Sequence, residues 1–118
     1  MKTLYKEALE AYTDMLLLHI DTKATDVVFH KETEEFYESL FEVAHKIGEK
    51  YVDLGGKLTE TSLDDKKKEA HKIISNLRKK IEDYKEKNKI TLGTEDLLGA
   101  LANDLEFIEG TSRGFITK

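Results

Sequence analysis

The sequence predicts an all-α protein that folds as a ferritin-like, up-and-down four-helix bundle. Apolar residues recur at helical spacing in four stretches, no segment alternates as a strand does, and the chain contains no proline. Short polar segments separate the stretches, as the connections between successive helices of a bundle require. The 118 residues suit one domain, which we expect to span residues 1–118.

We expect the first helix over residues 3–22 and the second over residues 27–54, because the apolar positions of both follow the helical period. Thr25 or Asp26 is the expected N-cap of the second helix, since both side chains accept hydrogen bonds from free backbone amides. Two consecutive glycines, Gly55-Gly56, are a strong signal for its end.

The third helix is expected over residues 62–87 and the fourth over residues 94–109. Thr94 is the expected N-cap of the fourth helix, and Gly110 its expected end. The remaining tail, residues 111–118, is expected to be loosely held.

Composition excludes several classes of protein. A net charge of −5 argues against a dedicated DNA-binding domain, because the phosphate backbone favours a basic excess. The absence of cysteine excludes disulfides and thiolate metal sites, and it fits a cytoplasmic location. The longest apolar run, Met15 to Leu18, is too short for a membrane span.

The apolar arc of the second helix is broad, at roughly 160° on a helical wheel of 100° per residue. A four-helix bundle buries one face of each helix, so this arc predicts contact with a second copy of the chain. The alternative is a monomer with a wide core and some exposed aromatic residues. The arc comprises Phe29, Phe36, Leu40, Val43, Ile47 and Leu54, flanked by Tyr37, Phe41, Ala44, Gly48 and Tyr51.

Three of the four histidines fall on the first two helices, namely His19, His30 and His45. Glu49 follows His45 by four residues, so both side chains point the same way from successive helical turns. Imidazole and carboxylate groups together suit iron, manganese or zinc. Spacing alone leaves a metal site and ordinary hydrogen-bonded histidines equally open. His71, on the third helix, is expected to be solvated.

Residues 30–56 resemble the second helix of the Dps family, the mini-ferritins of bacteria and archaea. Family members place a further histidine on the first helix at much the same distance as His19 lies before His30. The chain is therefore identified as a shortened member of this family. The matching features are His30 near the helix start, the Phe36-Tyr37 pair, His45 four residues before Glu49, and the closing Leu54-Gly55-Gly56.

The resemblance implies an iron site between subunits, with two histidines from one chain and a histidine and a glutamate from its two-fold mate. These residues are His19 and His30, then His45 and Glu49. Glu38 and Glu42, which border the apolar arc of the second helix beside them, are candidate additional ligands. The implied activity is that of a ferroxidase with no catalytic residue beyond the ligands. It oxidises Fe(II) with hydrogen peroxide or dioxygen and stores ferric iron, with zinc or manganese as substitutes.

Three features depart from the family. Aspartate is usual at the position of His45, so this site would be richer in nitrogen. Only five residues separate Gly56 from the third helix, where the family has a short extra helix. A homodimer or another oligomer is therefore an alternative to the family's twelve-subunit shell. The N-terminus lacks a lysine-rich tail, and DNA binding through it is not expected. The alternative function is a metal-free helical bundle that binds a protein partner.

Overall fold

The computed structural model describes residues 1–116 and shows four α-helices, with no strand in that range. They are α1 (Lys2–Asp21), α2 (Val27–Asp53), α3 (Leu63–Lys87) and α4 (Leu92–Arg113). The predicted all-α class and the four helices in succession are therefore confirmed. Contacts between helices join α1 to α2 and α3 to α4, and the chain divides into two compact units. The first unit is Met1–Glu60 and the second begins at Thr61; the single domain stays a prediction.

Side-chain caps fix the starts of α2 and α3. The carboxylate of Asp26 accepts a hydrogen bond from the Phe29 amide at 3.0 Å, which confirms one of the two predicted caps. The Ser62 hydroxyl accepts from the Asp65 amide at 3.1 Å. Each bond satisfies one of the amides that the first helical turn leaves without a partner.

Two glycines end α2, as the sequence predicts. The Gly55 amide donates to the Val52 carbonyl and the Gly56 amide to the Tyr51 carbonyl, both at 2.9 Å. These two bonds form a Schellman motif, which requires a left-handed residue directly after the helix. Gly55 has this conformation, with φ at +95°. Glycine adopts it without the steric cost that other residues incur.

The fourth helix begins earlier than predicted. Its N-cap is Thr91, whose hydroxyl accepts from the Thr94 amide at 3.2 Å, so the prediction of Thr94 as the cap is wrong. Both threonines suit an N-cap by side-chain chemistry, and α4 uses the earlier one.

The fourth helix also continues past Gly110 to Arg113, so the predicted end at Gly110 is wrong. Among the glycines of residues 1–116 a positive φ occurs at Gly55 alone, and a glycine that keeps a helical backbone does not stop a helix. Hydrogen-bonded turns follow as far as Ile116. The prediction of a loose tail is wrong for this part, and residues 117–118 lie outside the described range.

In the first unit, a glycine of α2 makes room for the ring of a tyrosine near the start of α1. Gly48 is buried in α2, and a methyl group there would lie 2.8 Å from Cε1 of Tyr5 in α1. Ala44, one turn earlier, is 3% exposed and is the one buried apolar residue in the described part of the chain. The absence of a side chain at Gly48 therefore leaves space for the Tyr5 ring against α2.

Replacing Gly48 by alanine is expected to lower the free energy of unfolding by about 1 kcal/mol, because the added methyl displaces the Tyr5 ring. The matched control is Gly99→Ala in α4, where nothing lies within 4 Å of an added methyl. That control is expected to gain about 0.5–1 kcal/mol from the better helix propensity of alanine. Urea unfolding followed by circular dichroism measures both; a stabilised Gly48→Ala would contradict the close approach.

A buried ion pair links α3 and α4 in the second unit. Arg78 donates from Nε to Oε1 of Glu109 at 2.5 Å and from Nη2 to Oε2 at 3.2 Å, and the Glu109 side chain is 7% exposed. Nη1 of Arg78 also contacts both carboxylate oxygens of Glu82 at 2.9 Å. The hydrogen bond from Arg78 holds the pKa of Glu109 below its ordinary value of 4.5, against the opposing effect of burial.

The second unit is expected to lose stability as the pH falls below about 4.5, where the unfolded chain takes up a proton that folded Glu109 still resists. Above that pH both states are ionised and the contribution of the ion pair is complete. In Glu109→Gln this part of the pH dependence should disappear. Thermal unfolding between pH 3 and pH 7 tests it, and an unchanged slope in the variant would contradict it.

The same interface holds His71. It is half-buried, and its Nδ1 lies 2.8 Å from the hydroxyl of Ser112. The prediction of a solvated histidine is wrong, because α4 extends three residues past Gly110 and so presents Ser112 to α3.

Each hairpin, taken by itself, leaves large apolar side chains exposed, since two helices bury only what lies between them. In the first unit these include Leu17, Ile20, Phe36, Phe41 and Val52, at 45–57% exposure. Along residues 1–116, none of the helices combines the length and the apolar character that crossing a membrane demands.

Candidate metal centre

The first hairpin brings His19 and His30 together. His19 lies in the last turn of α1 and His30 in the first turns of α2, so the short connection between the helices places them side by side. Their imidazole rings stack with centroids 3.9 Å apart and planes inclined by 15°. These are the two residues that the Dps resemblance implies as the ligands supplied by one chain.

Reciprocal hydrogen bonds hold the two rings. Nδ1 of His19 lies 2.7 Å from the carbonyl oxygen of His30, and Nδ1 of His30 lies 2.5 Å from the carbonyl oxygen of His19. A carbonyl oxygen only accepts hydrogen bonds, so each Nδ1 carries the proton. In the neutral imidazole the other nitrogen, Nε2, then keeps its lone pair. The assignment of both tautomers follows from these partners.

Thr33 supports this pair from within α2. It is fully buried, and its hydroxyl oxygen lies 3.1 Å from Nδ1 of His19. The hydroxyl also lies within donating distance of the carbonyl oxygens of Phe29 and His30, at 3.0 and 2.8 Å. Thr33 is not among the residues that the sequence predicts for the site. Its signal is a threonine four residues after Phe29, at a position where the helical period calls for an apolar residue.

Neither Nε2 atom has a hydrogen-bond partner within residues 1–116. Both therefore offer a lone pair to a ligand. A histidine that binds a metal through Nε2 characteristically donates its Nδ1 proton to a carbonyl or carboxylate, which orients the ring and raises its basicity. A neutral imidazole nitrogen is a ligand type that first-row divalent metal ions such as Fe(II), Mn(II) or Zn(II) accept.

His45 and Glu49 form a second pair, further along α2. Nε2 of His45 lies 3.4 Å from Oε2 of Glu49, and the two side chains are 53% and 67% exposed. They line a groove of about 450 Å³ together with Tyr5, Gly48, Val52, Asp53 and Leu58. Fifteen residues separate His45 from His30, a rise of about 22 Å along a helix. A single chain therefore forms both pairs but holds them apart. A site shared between subunits requires this separation, and such a site stays a prediction.

Glu38 and Glu42, the additional predicted ligands, lie between the two pairs. They line a second groove, of about 430 Å³, with Tyr12, Tyr37 and Phe41. Across residues 1–116, no three histidine, aspartate or glutamate side chains lie close enough together to hold a metal ion. Because the His19 and His30 rings are stacked and nearly parallel, their Nε2 lone pairs lie in separate planes. Binding of one ion by both nitrogens therefore requires one ring to turn, and the ion needs further ligands from elsewhere.

Aromatic rings fill the space between the two pairs. Successive ring centroids lie 4.9 Å apart from His19 to Tyr37, 6.3 Å from Tyr37 to Tyr12, 5.4 Å from Tyr12 to Phe41, and 5.9 Å from Phe41 to His45. Burial, reinforced by the charges of Glu34 and Glu38, raises the pKa of Tyr37 above its ordinary value of 10.0. Its phenol therefore stays protonated at neutral pH. The sequence predicts Tyr37 and Phe41 only as part of the apolar arc of the second helix.

Comparison with known proteins adds no identification: no family model, curated protein or solved structure matches the chain. The resemblance to the Dps family stays a prediction. The proposed function therefore rests on the geometry of His19 and His30.

Proposed function

We propose that the protein binds Fe(II) at the His19–His30 pair, oxidises it with hydrogen peroxide or dioxygen, and sequesters the ferric product. The observation that carries this proposal is the reciprocal bonding of the two Nδ1 atoms to backbone carbonyls. It leaves both Nε2 lone pairs available on stacked rings.

The pair needs further ligands, and we propose that His45 and Glu49 of a second copy supply them. Both side chains are more than half exposed and lie in a groove bordered by the apolar residues Val52 and Leu58. The exposed apolar side chains of the hairpin favour such an association, which makes the protein a homodimer at least. A closed shell of twelve subunits is the larger assembly that the Dps resemblance implies.

Fe(II) is the substrate in this proposal, and zinc or manganese would compete with it for the same nitrogen ligands. Two Fe(II) ions reduce one hydrogen peroxide, with two protons, to two waters and leave two Fe(III) ions. A carboxylate ligand favours the harder ferric ion after oxidation, which is the role of Glu49. Removal of Fe(II) and peroxide together gives a function in oxidative stress.

Anaerobic titration of the wild-type protein with Fe(II), followed by addition of peroxide, tests the proposal. We expect saturable binding, displacement by Zn(II), and oxidation that is faster than that of free Fe(II) in the same buffer. The matching control is protein loaded with Zn(II) beforehand, which should oxidise Fe(II) no faster than buffer. Absence of saturable binding would contradict the proposal and leave the metal-free bundle that binds a protein partner.

A further inference from the structure

We propose that the groove lined by Tyr12, Tyr37, Phe41, Glu38 and Glu42 binds a linear aliphatic polyamine. The ammonium groups of this ligand lie against the two carboxylates, and its carbon chain lies against the aromatic rings. The groove measures about 430 Å³, a volume typical of small-molecule sites. The inference gives Glu38 and Glu42 a ligand other than a metal ion, and it does not rest on Fe(II) binding at the histidine pair.

Three aromatic rings form the walls of the groove. The Tyr12 ring is inclined by 62° to that of Phe41 and by 54° to that of Tyr37, with centroids 5.4 and 6.3 Å apart. Rings at these angles do not cover one another's faces as a parallel stack would, and Phe41 is 50% exposed. The negatively polarised face of such a ring attracts an ammonium group placed over it, and the attraction is stronger where water is excluded.

Two carboxylates without a cationic partner border the rings. Glu38 and Glu42 lie one turn apart on the same side of α2. Within residues 1–116 neither of them forms an ion pair, and no basic side chain of that range lines the groove. Like charges at this spacing destabilise a helix. A ligand with two ammonium groups relieves this repulsion.

The combination of rings and carboxylates selects the chemistry of the ligand. An inorganic ion such as Mg²⁺ gives up its water shell reluctantly and gains little from aromatic rings. An alkylammonium group donates hydrogen bonds to carboxylate oxygens, and the methylene groups beside it remove apolar ring surface from water. A lysine side chain of another protein carries one ammonium group and leaves the second carboxylate without a partner. A polyamine satisfies both carboxylates and the rings together.

The ligand connects the two helices of the first hairpin. Tyr12 belongs to α1, whereas the other residues that line the groove belong to α2. A ligand that binds the folded chain and not the unfolded chain stabilises the fold in proportion to the logarithm of its concentration. The midpoint of thermal unfolding is therefore expected to rise as polyamine is added.

Isothermal titration calorimetry of the full chain with spermidine tests the inference. Wild type is expected to bind spermidine saturably. Glu38→Gln/Glu42→Gln should lower the affinity by more than about 10-fold, since loss of even one hydrogen bond to a charged group has about this effect. Glu7→Gln/Glu10→Gln is the matched control, because it removes the same charge from exposed positions of α1 outside the groove, and it should bind as wild type does.

Two further variants test the aromatic walls. Phe41→Leu stays apolar but loses the ring, and it should lower the affinity for spermidine by about 2–30-fold, the range expected for one cation–π contact. Tyr37→Phe keeps a ring face and should bind about as tightly as wild type. Circular dichroism of each variant shows whether the helices are retained, so that a loss of affinity reports on the ring.

Competition by Mg²⁺ at constant ionic strength separates a built site from general attraction of cations. We expect Mg²⁺ to displace little spermidine. Displacement by an equal concentration of Mg²⁺, unchanged affinity in Glu38→Gln/Glu42→Gln, or no saturable binding by wild type would each show the inference to be wrong. Binding of spermidine by a protein that binds no Fe(II) would overturn the proposed function and leave this inference intact.

Discussion

His30→Asn is expected to lower the affinity for Fe(II) by more than about 100-fold. Loss of a residue that only orients a metal ligand already lowers metal affinity by about 10–100-fold, and loss of the ligand itself should cost more. The substitution removes Nε2, the atom that we propose binds the ion. Its side-chain amide has an N–H where the imidazole has Nδ1–H, so the hydrogen bond to the carbonyl oxygen of His19 is retained. Anaerobic titration with Fe(II) measures the affinity.

Two controls accompany this prediction. Thermal unfolding of His30→Asn should stay close to wild type, which separates loss of the metal ligand from loss of the hairpin. His71→Ala removes a half-buried histidine from the second unit and should leave Fe(II) affinity unchanged. Wild-type affinity in His30→Asn, or an equal loss in His71→Ala, would contradict the role of the pair.

The second large effect is expected at Thr33. Thr33→Val keeps the shape of the side chain but removes the hydroxyl oxygen that lies 3.1 Å from Nδ1 of His19. We expect a loss of Fe(II) affinity of about 10–100-fold, which is typical when a residue that orients a metal-bound histidine is removed. The free energy of unfolding should change by less than about 1.5 kcal/mol. The Phe29 and His30 carbonyl oxygens that lose the Thr33 hydroxyl lie in a helix, and the His30 carbonyl oxygen also accepts a hydrogen bond from Nδ1 of His19.

Thr33→Ser is the matched control, since it keeps the hydroxyl and loses only a methyl group. Its Fe(II) affinity should stay close to that of wild type. Equal affinities in the valine and wild-type proteins would show that Thr33 fills space in the hairpin and does not orient His19.

Local sequence rules predicted those parts of the fold that depend on a few adjacent residues. Asp26 as a cap and Gly55-Gly56 as a stop are signals of this kind, and both are confirmed. The same rules failed for α4, since Thr91 and Thr94 are chemically equivalent caps and Gly110 keeps a helical backbone. A local rule does not distinguish these cases, because the choice depends on contacts further along the chain.

The pairing of His19 with His30 could be anticipated from the sequence, but its detail could not. The resemblance named His19 and His30, and the hairpin brings them into contact. Their tautomers depend on which backbone carbonyl each Nδ1 meets across the two helices, and the sequence carries no sign of that. Thr33 was missed for a related reason: its importance comes from a contact with His19, fourteen residues away. The Arg78–Glu109 pair, which spans two helices, was equally hidden.

The central claim is that two subunits share each metal centre, and mixing two inactive variants tests it most directly. One variant, His19→Ala/His30→Ala, keeps only the His45–Glu49 pair, and the other, His45→Ala/Glu49→Ala, keeps only the two histidines. Each alone is expected to bind no Fe(II) tightly. When the two are unfolded together and refolded as a mixture, a shared site predicts recovery of about one quarter of the wild-type binding, because half of the dimers are mixed and each carries one intact site. No recovery in the mixture, or full binding by the His45→Ala/Glu49→Ala protein alone, would contradict the shared centre.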